Sequence, residues 1–279
     1  MRRTAILLAI LSLGACDQQP EGEPVVRAPL GSSTTSTRET NVEPLPPESG
    51  DGPPPTFASA CKPAIFEGVA LTHCIADPDN HRIRTALAPN SGDNFGTIAG
   101  WKQGVEASDI AFVINAGMYG DDLRPIGYFV RNGDRMTEID SASGEGNFYL
   151  KPNGVFFGSN GEWRILTTPE FVRTVGTRPQ FGTQSGPMLL IGGELHPQIS
   201  ENGASRTIRN GVGIDSDGMA HFVISDEPIS FGQLARFYRD ELGASDALYL
   251  DGNISSLWDP VTGRLGKGRV GPLLIVERK

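Results

Sequence analysis

Ser230-Phe-Gly-Gln-Leu-Ala-Arg-Phe-Tyr-Arg-Asp-Glu-Leu-Gly243 reads as a helix with both ends marked, and Ala247-Leu-Tyr-Leu250 follows it as a short apolar strand. Ser230 can cap the first turn, and Gln233 completes a Ser-x-x-Gln capping box. Leu234, Ala235, Phe237, Tyr238 and Leu242 fall on one face at helical spacing. Gly243 is placed to end the helix. Outward from here, Ile110-Ala-Phe-Val-Ile114 and the run from Leu273 to Val276 also read as buried strands. Strand, helix, strand at this spacing predicts that part of the sheet is parallel. The rest reads as antiparallel. Ile126 to Val130 leads into Arg131-Asn-Gly-Asp134, and Asn-Gly suits the positive φ of a tight hairpin. Asn153-Gly-Val155 followed by Ser159-Asn-Gly161 repeats, at the same spacing, as Asn210-Gly-Val212 followed by Ser216-Asp-Gly218. Two hairpins obeying the same turn chemistry account for this, with a trace of internal duplication as the alternative. The class is α+β: a mixed β-sheet domain with flanking helices.

The totals agree. With 35 Gly, 21 Pro and 38% hydrophobic residues, the chain has the composition of short strands joined by many turns. A net charge of −9 argues against nucleic acid or anionic lipid as the main partner. It leaves room for one anionic substrate held by local arginines.

The first residues address the chain. Arg2 and Arg3 precede the apolar run Ala5 to Leu13. That run is too short to cross a hydrocarbon core of about 30 Å as a helix, but it suits a signal peptide. It ends in Leu13-Gly-Ala-Cys16, which resembles the lipobox of bacterial lipoproteins. That resemblance implies cleavage before Cys16, acylation of its thiol and an envelope location, anchored to a membrane by lipid. The alternative is an ordinary secretory signal with a chance cysteine. Residues 17–56 are rich in Pro, Ser, Thr, Glu and Gly, without apolar periodicity. Such a segment cannot bury enough surface to offset its chain entropy, so a disordered tether is expected. Residues 57–279 then form one domain of ordinary size. Cys61 and Cys74 remain as an even pair in an oxidising compartment, forming a disulfide or else two buried thiols. With only four His and no further Cys, a zinc site of the Cys/His kind is not expected, and no cofactor is implied.

Four polar clusters sit at strand ends, where side chains are firmly held yet can face a cleft. Asn115-Ala-Gly-Met-Tyr119 offers an amide and, at Gly117, a close approach of backbone to ligand; taken alone it is also an ordinary turn. Thr183-Gln-Ser-Gly-Pro187 offers the Ser185 hydroxyl and the Gly186 N–H to an oxyanion. It lacks the Gly-x-Ser-x-Gly of a nucleophile elbow, and a polar bend explains it as well. Arg206 to Asp215 carries Arg209, which strand alternation places on the opposite face from Ile208 and Asn210. A guanidinium there can grip a phosphate, though arginines are commonly surface residues. Asp215-Ser-Asp-Gly218 is not a calcium loop, because Met219 and Asp226 occupy ligand positions. Tyr249-Leu-Asp-Gly-Asn-Ile-Ser-Ser256 ends a buried strand in a carboxylate that is costly there unless paired or functional, or else caps a turn.

Together, and in this order, the clusters resemble the phosphodiester glycosidase family. The matching elements are Phe112-Val-Ile-Asn-Ala-Gly-Met-Tyr119, Gln184-Ser-Gly-Pro-Met-Leu189, Arg209-Asn-Gly-Val-Gly-Ile-Asp215 and Leu250-Asp-Gly-Asn-Ile-Ser-Ser256. The resemblance implies a hydrolase that removes a sugar from a glycosyl phosphodiester, with Asn115, Arg209 and Asp251 as catalytic positions. Ser185, Gly186, Gly117, Gly252 and Ser255 are expected to bind substrate, and Asp215 is a possible second carboxylate. Many members carry a further Gly after the Asp-Gly pair, and Asn253 stands there instead, so the sugar specificity is open. Two rivals come from other chemistry. One is a metal-assisted phosphodiesterase, with Asp215 and Asp251 holding the cation. The other is a non-catalytic lipoprotein that binds envelope glycans.

Overall fold

Antiparallel hairpins recur along the described residues. Strands Cys61–Phe66 (β1), Val69–Ala76 (β2), His81–Leu87 (β3) and Ile110–Asn115 (β4) come first. Phe129–Arg131 (β5) and Asp134–Thr137 (β6) form one hairpin, and Gly154–Ser159 (β7) and Glu162–Thr167 (β8) another. Their turns carry Asn132 at φ 53° with Gly133 at φ 80°, and Asn160 at φ 51° with Gly161 at φ 86°. This is the left-handed geometry for which Asn-Gly is suited. Phe181–Ser185 (β9), Met188–Ile191 (β10), Glu194–Leu195 (β11), Asn210–Ile214 (β12) and Ala220–Ser225 (β13) follow. Asp246–Tyr249 (β14), Leu257–Asp259 (β15), Arg264–Leu265 (β16) and Pro272–Arg278 (β17) complete the set. The helices are short: Ile98–Trp101 (α1), Thr168–Thr174 (α2) and Phe231–Arg236 (α3). The computed structural model describes residues 57–88 and 96–279, and for Asn253 the backbone only. All of these lie in one compact unit, Pro53–Lys279. The signal peptide, Cys16 and the tether expected over residues 1–56 lie outside the described residues.

Three sheets result. One has seven strands in the order β1-β2-β13-β12-β14-β10-β11. The other two have five each, ordered β16-β15-β4-β17-β3 and β6-β5-β9-β7-β8. Their facing sides share a central core that includes Phe112, Ile114, Phe156, Phe181, Phe222 and Leu248. Helices cover outer faces. The segment beginning with α3 packs Leu234, Ala235 and Tyr238 on the seven-stranded sheet. Ile98 of α1 joins Ile110, Val113 and Ile275, and Phe171 of α2 joins Tyr128, Val155 and Phe157. All six residues of β4 are therefore buried, which explains why its sequence is a continuous apolar run rather than an alternation.

The α+β class holds, with three differences in detail. Strands β13 and β14, on either side of the helix, do run in the same direction, but β12 lies between them and pairs antiparallel with both. The expected parallel ladder is replaced by two antiparallel ones, because β12 returns from a hairpin into the vacant place. The helix is also shorter than its apolar pattern. After Arg236 it loosens into a π-helical turn over Phe237–Glu241, and Gly243 at φ 61° ends it. Only half of the capping box forms. Ser230 Oγ accepts the Gln233 N–H at 3.1 Å, while Gln233 Oε1 is taken by Arg206 at 2.8 Å. Finally, the strand expected from Ile126 begins only at Phe129. The Tyr128 N–H is held instead by the Gln184 side chain at 2.9 Å, against which Gly127 is packed.

A disulfide joins Cys61 and Cys74, which face each other across β1 and β2.

Candidate functional site

The four polar clusters come together through backbone hydrogen bonds at one end of the seven-stranded sheet. The Asp251 N–H donates to Ala116 O at 3.2 Å, and Leu250 N–H to Asn210 O at 3.1 Å. Tyr249 N–H donates to Pro187 O at 3.0 Å, and Gly117 N–H to Thr183 Oγ1 at 3.1 Å. Strand ends of all three sheets thus meet around the loop that begins at Asp251.

Asn115 is the hub of this junction, and its role differs from the one its position in sequence suggested. Its side chain is fully buried. Nδ2 donates to Asp251 O at 2.7 Å, while Oδ1 accepts from Asn210 Nδ2 at 2.5 Å and from Ser256 N–H at 2.9 Å. With those bonds made, the amide holds the loop from beneath. Gly117 likewise makes room for protein rather than ligand: a Cβ there would lie 2.1 Å from Gln184 O. Ser185 is fully buried, and its hydroxyl has no hydrogen-bond partner among the described residues. Gly186 precedes a cis proline and is enclosed by Asn153 and the Phe148 carbonyl. The Ser-Gly-Pro element is therefore an interior crossover from β9 to β10. Ser255 Oγ closes a turn on Gly252 O at 3.1 Å.

Arg209 faces the other side of β12 from Asn210, as alternation requires, and enters the layer beneath α3. It is 3% exposed. Its guanidinium carbon lies 3.6 Å from the Phe231 ring centroid and 5.6 Å from that of Tyr249. Nε donates to Ile229 O at 2.9 Å, and Nη2 donates to Ser205 O at 3.3 Å. No ion pair among the described residues includes Arg209. Burial lowers its pKa, and Tyr249 opposes that shift. Here is a desolvated cation held by carbonyls and aromatic faces instead of a carboxylate.

Tyr249 links this cation to Asp251, and Tyr119 lies in the field of the same carboxylate. Burial raises the pKa of the Tyr249 hydroxyl; the Arg209 charge lowers it and the Asp251 charge raises it further. A Cβ on Gly252 would sit 2.1 Å from that hydroxyl, so the Asp-Gly pair fits only with glycine second. Tyr119 donates to Arg269 O at 2.6 Å. Its pKa is pushed well above the usual phenol range by burial and then by Asp251. Asp251 itself is half-buried. Asp251 therefore acts on both phenols at this rim, and the buried guanidinium acts on Tyr249. The sequence drew attention to Asp251 and Arg209 but missed Phe231, Ser205 and Arg269. Phe231 was detectable in principle, as the first residue of the helix that covers Arg209's face.

Asp215 does not join them. Ile214 pairs with Asp246 and Gly211 with Tyr249, so Asp215 and Asp251 lie beyond opposite ends of the β12–β14 ladder. At about 3.3 Å per residue, Asp215 is some 20 Å along the strand from Arg209. It accepts from the Asp217 and Met219 N–H groups, each at 2.9 Å, and contacts His221 Nε2 at 3.0 Å. Burial raises its pKa, but His221 and those N–H groups outweigh this and the net shift is downward. Asp215 is a turn-closing residue, and one cation shared between Asp215 and Asp251 is ruled out by their separation.

Comparison with known proteins agrees with this architecture. The family model of phosphodiester glycosidases matches residues 108–265. The uncharacterized protein YigE of Escherichia coli (strain K12) is 32% identical over 207 residues, covering 73% of this chain and 81% of that protein. The fold is similar to the zebrafish N-acetylglucosamine-1-phosphodiester alpha-N-acetylglucosaminidase catalytic domain auto-inhibited by its pro-peptide. That likeness has a TM-score of 0.53 at 14% identity over 78% of this chain and 82% of the other. A hypothetical protein from Synechocystis matches with a TM-score of 0.50 at 14% identity, over 78% of this chain and 61% of the other. At such identities the two structures speak for the fold alone. Together with the family match and the bacterial relative, the order of the four clusters places this chain in the phosphodiester glycosidase family.

Proposed function

We propose that this chain is an exported glycosidase-type hydrolase that cleaves the sugar C1–O bond of a glycosyl phosphodiester in envelope or extracellular glycan. The observation that supports the reading is Asp251 beside Tyr119 and Tyr249 at one sheet end, with the buried Arg209 behind Tyr249, in a member of this family. Water adds to the sugar C1 as the C1–O bond breaks, and the phosphate monoester departs with the bonding electrons. Asp251 handles the proton of that exchange, or stabilises the positive charge developing at C1. Phosphate is already a good leaving group, so its protonation is less demanding than in ordinary glycosidases. Because Arg209 gives Nε and Nη2 to carbonyls, its part is to supply positive potential at the rim through Tyr249. It does not grip the phosphate with two parallel bonds. The export half of the reading is supported by Arg2, Arg3, the apolar run and Leu13-Gly-Ala-Cys16. A disulfide between Cys61 and Cys74 suits an oxidising compartment.

The test is an assay of the mature chain on a synthetic sugar-1-phosphodiester, beside Asp251→Asn and Arg209→Lys. Asp251→Asn is expected to lower kcat by about a hundredfold or more. Arg209→Lys, which keeps the charge but loses the planar stack, is expected mainly to raise KM. Free sugar is the expected product; a sugar phosphate would mean P–O cleavage and overturn the reading. Equal turnover in all three proteins would remove Asp251 and Arg209 from the chemistry.

A further inference from the structure

The proposed reaction needs a grip on the phosphate, and Arg209 does not provide it. That residue lies beneath α3, is 3% exposed and gives Nε and Nη2 to carbonyls. A cation that meets the phosphate has to stand on the solvent side of Asp251. The loop that joins β16 to β17 brings one there. It reads Gly266-Lys-Gly-Arg-Val-Gly271 and lies beyond the stretch matched to the family.

Two glycines explain how closely this loop approaches. A Cβ on Gly268 would lie 2.3 Å from Ile254 Cγ2, and one on Gly266 would lie 2.2 Å from Ser256 Oγ. Ile254 and Ser256 belong to the loop that begins at Asp251, so only backbone without side chains can press against it in this way. Lys267 and Arg269 alternate with those glycines and are exposed. The loop is also fastened along its length. Gly266 N–H donates to Leu257 O at 2.8 Å, Val270 N–H to Gly96 O at 2.5 Å, and Ala88 N–H to Gly271 O at 2.9 Å. Between these, the Tyr119 hydroxyl donates to Arg269 O at 2.6 Å. Tyr119 is only partly buried and feels charges of both signs. Burial raises its pKa, the Asp251 charge raises it further, and the Arg269 charge lowers it.

An exposed arginine by itself selects nothing. Arg269 differs because its backbone is pinned to the phenol that also feels the candidate carboxylate, on a loop packed against the Asp251 loop. A phosphodiester has two non-bridging oxygens that share one negative charge. A guanidinium fork can meet both with parallel N–H bonds. We propose that residues 266–271 form the phosphate-binding element of the site, with Arg269 as the residue that grips the phosphate of the substrate. The identity of the ligand rests on the hydrolytic reading; phosphate binding itself does not.

The experiment titrates the ¹⁵N-labelled mature chain with methyl phosphate at constant ionic strength, following amide shifts by NMR, beside Arg269→Ala, Arg269→Lys and Lys267→Ala. Saturable shifts are expected at residues 119, 251 and 269. Arg269→Ala should weaken binding at least about tenfold, and Arg269→Lys should recover part of the loss. Lys267→Ala removes the same charge from the same loop and should weaken binding less than about threefold. On the sugar phosphodiester, Arg269→Ala should raise KM by about tenfold with a smaller change in kcat. Absence of saturable methyl phosphate shifts up to about 20 mM would overturn the proposal. So would equal weakening by Lys267→Ala and Arg269→Ala; in either case, release of sugar by the wild type leaves the hydrolytic reading standing. Binding that depends on Arg269, in a chain that releases no sugar, would sustain the phosphate site and sink the hydrolysis.

Discussion

Asn115 shows how much one buried side chain can decide. Its amide ties β4 to the Asp251 loop and to β12 through three hydrogen bonds. Removing it strands the Ser256 N–H and the Asn210 side-chain amide, both of fully buried residues. Each such group costs about 1–3 kcal/mol, so Asn115→Ala is expected to destabilise the fold by roughly 2–4 kcal/mol in a urea titration. Turnover should fall with it, since Asp251 loses its support. His73 gives a second prediction. Burial, and then the neighbouring His221, lowers its pKa from 6.5 to about 4. The unfolded chain therefore takes up a proton that the folded chain refuses. The contribution to stability is whole above pH 6.5, falls as the pH drops toward about 4, and does not fall further below that. His73→Gln removes this term, so its melting temperature should decline less steeply than that of the wild type between those pH values.

At the scale of the element, the segment Phe231–Glu241 does more than cover a sheet. Its first residue supplies the ring against which Arg209 stacks, so the helix start sets the position of the buried cation. Ser230 fixes that start by accepting the Gln233 N–H. Ser230→Ala is expected to cost about 1 kcal/mol, and Ser230→Thr to recover most of it, as measured by thermal unfolding. If the loss also loosens Phe231, KM for the sugar phosphodiester should rise while kcat changes less. The early end of α3 has a comparable logic. Tyr238 lies over Gly213, where a Cβ would come within 2.6 Å of its ring, and the π-helical turn accommodates this close seating.

For the whole molecule, the disulfide is the clearest lever. Cys61 and Cys74 are separated by 13 positions and fasten edge strand β1 to β2. By the chain-entropy model a loop of this size contributes about 3 kcal/mol. Chain produced under reducing conditions, or treated with dithiothreitol, should therefore show an unfolding free energy lower by about that margin in a urea titration. The same disulfide was one of two open readings of the cysteine pair in the sequence. Spacing and compartment favour a bridge in general terms, but only cross-strand registry brings these two sulfurs together.

From the sequence alone came the turns, the buried strands, the helix start and the order of the polar clusters. Each is a local matter of backbone angle, periodicity or side-chain chemistry within a few residues. Strand alternation by itself separates Arg209 from Asn210. Partner choice was beyond its reach. The insertion of β12 between β13 and β14, the burial of Asn115 and Ser185, and the displacement of Asp215 to the far end of the ladder depend on which distant segments lie alongside. A polar residue at a strand end looks the same in sequence whether it faces solvent, substrate or another strand. Tertiary packing alone distinguishes these, because burial and hydrogen-bond partners are set by neighbours on other strands, some more than a hundred residues away.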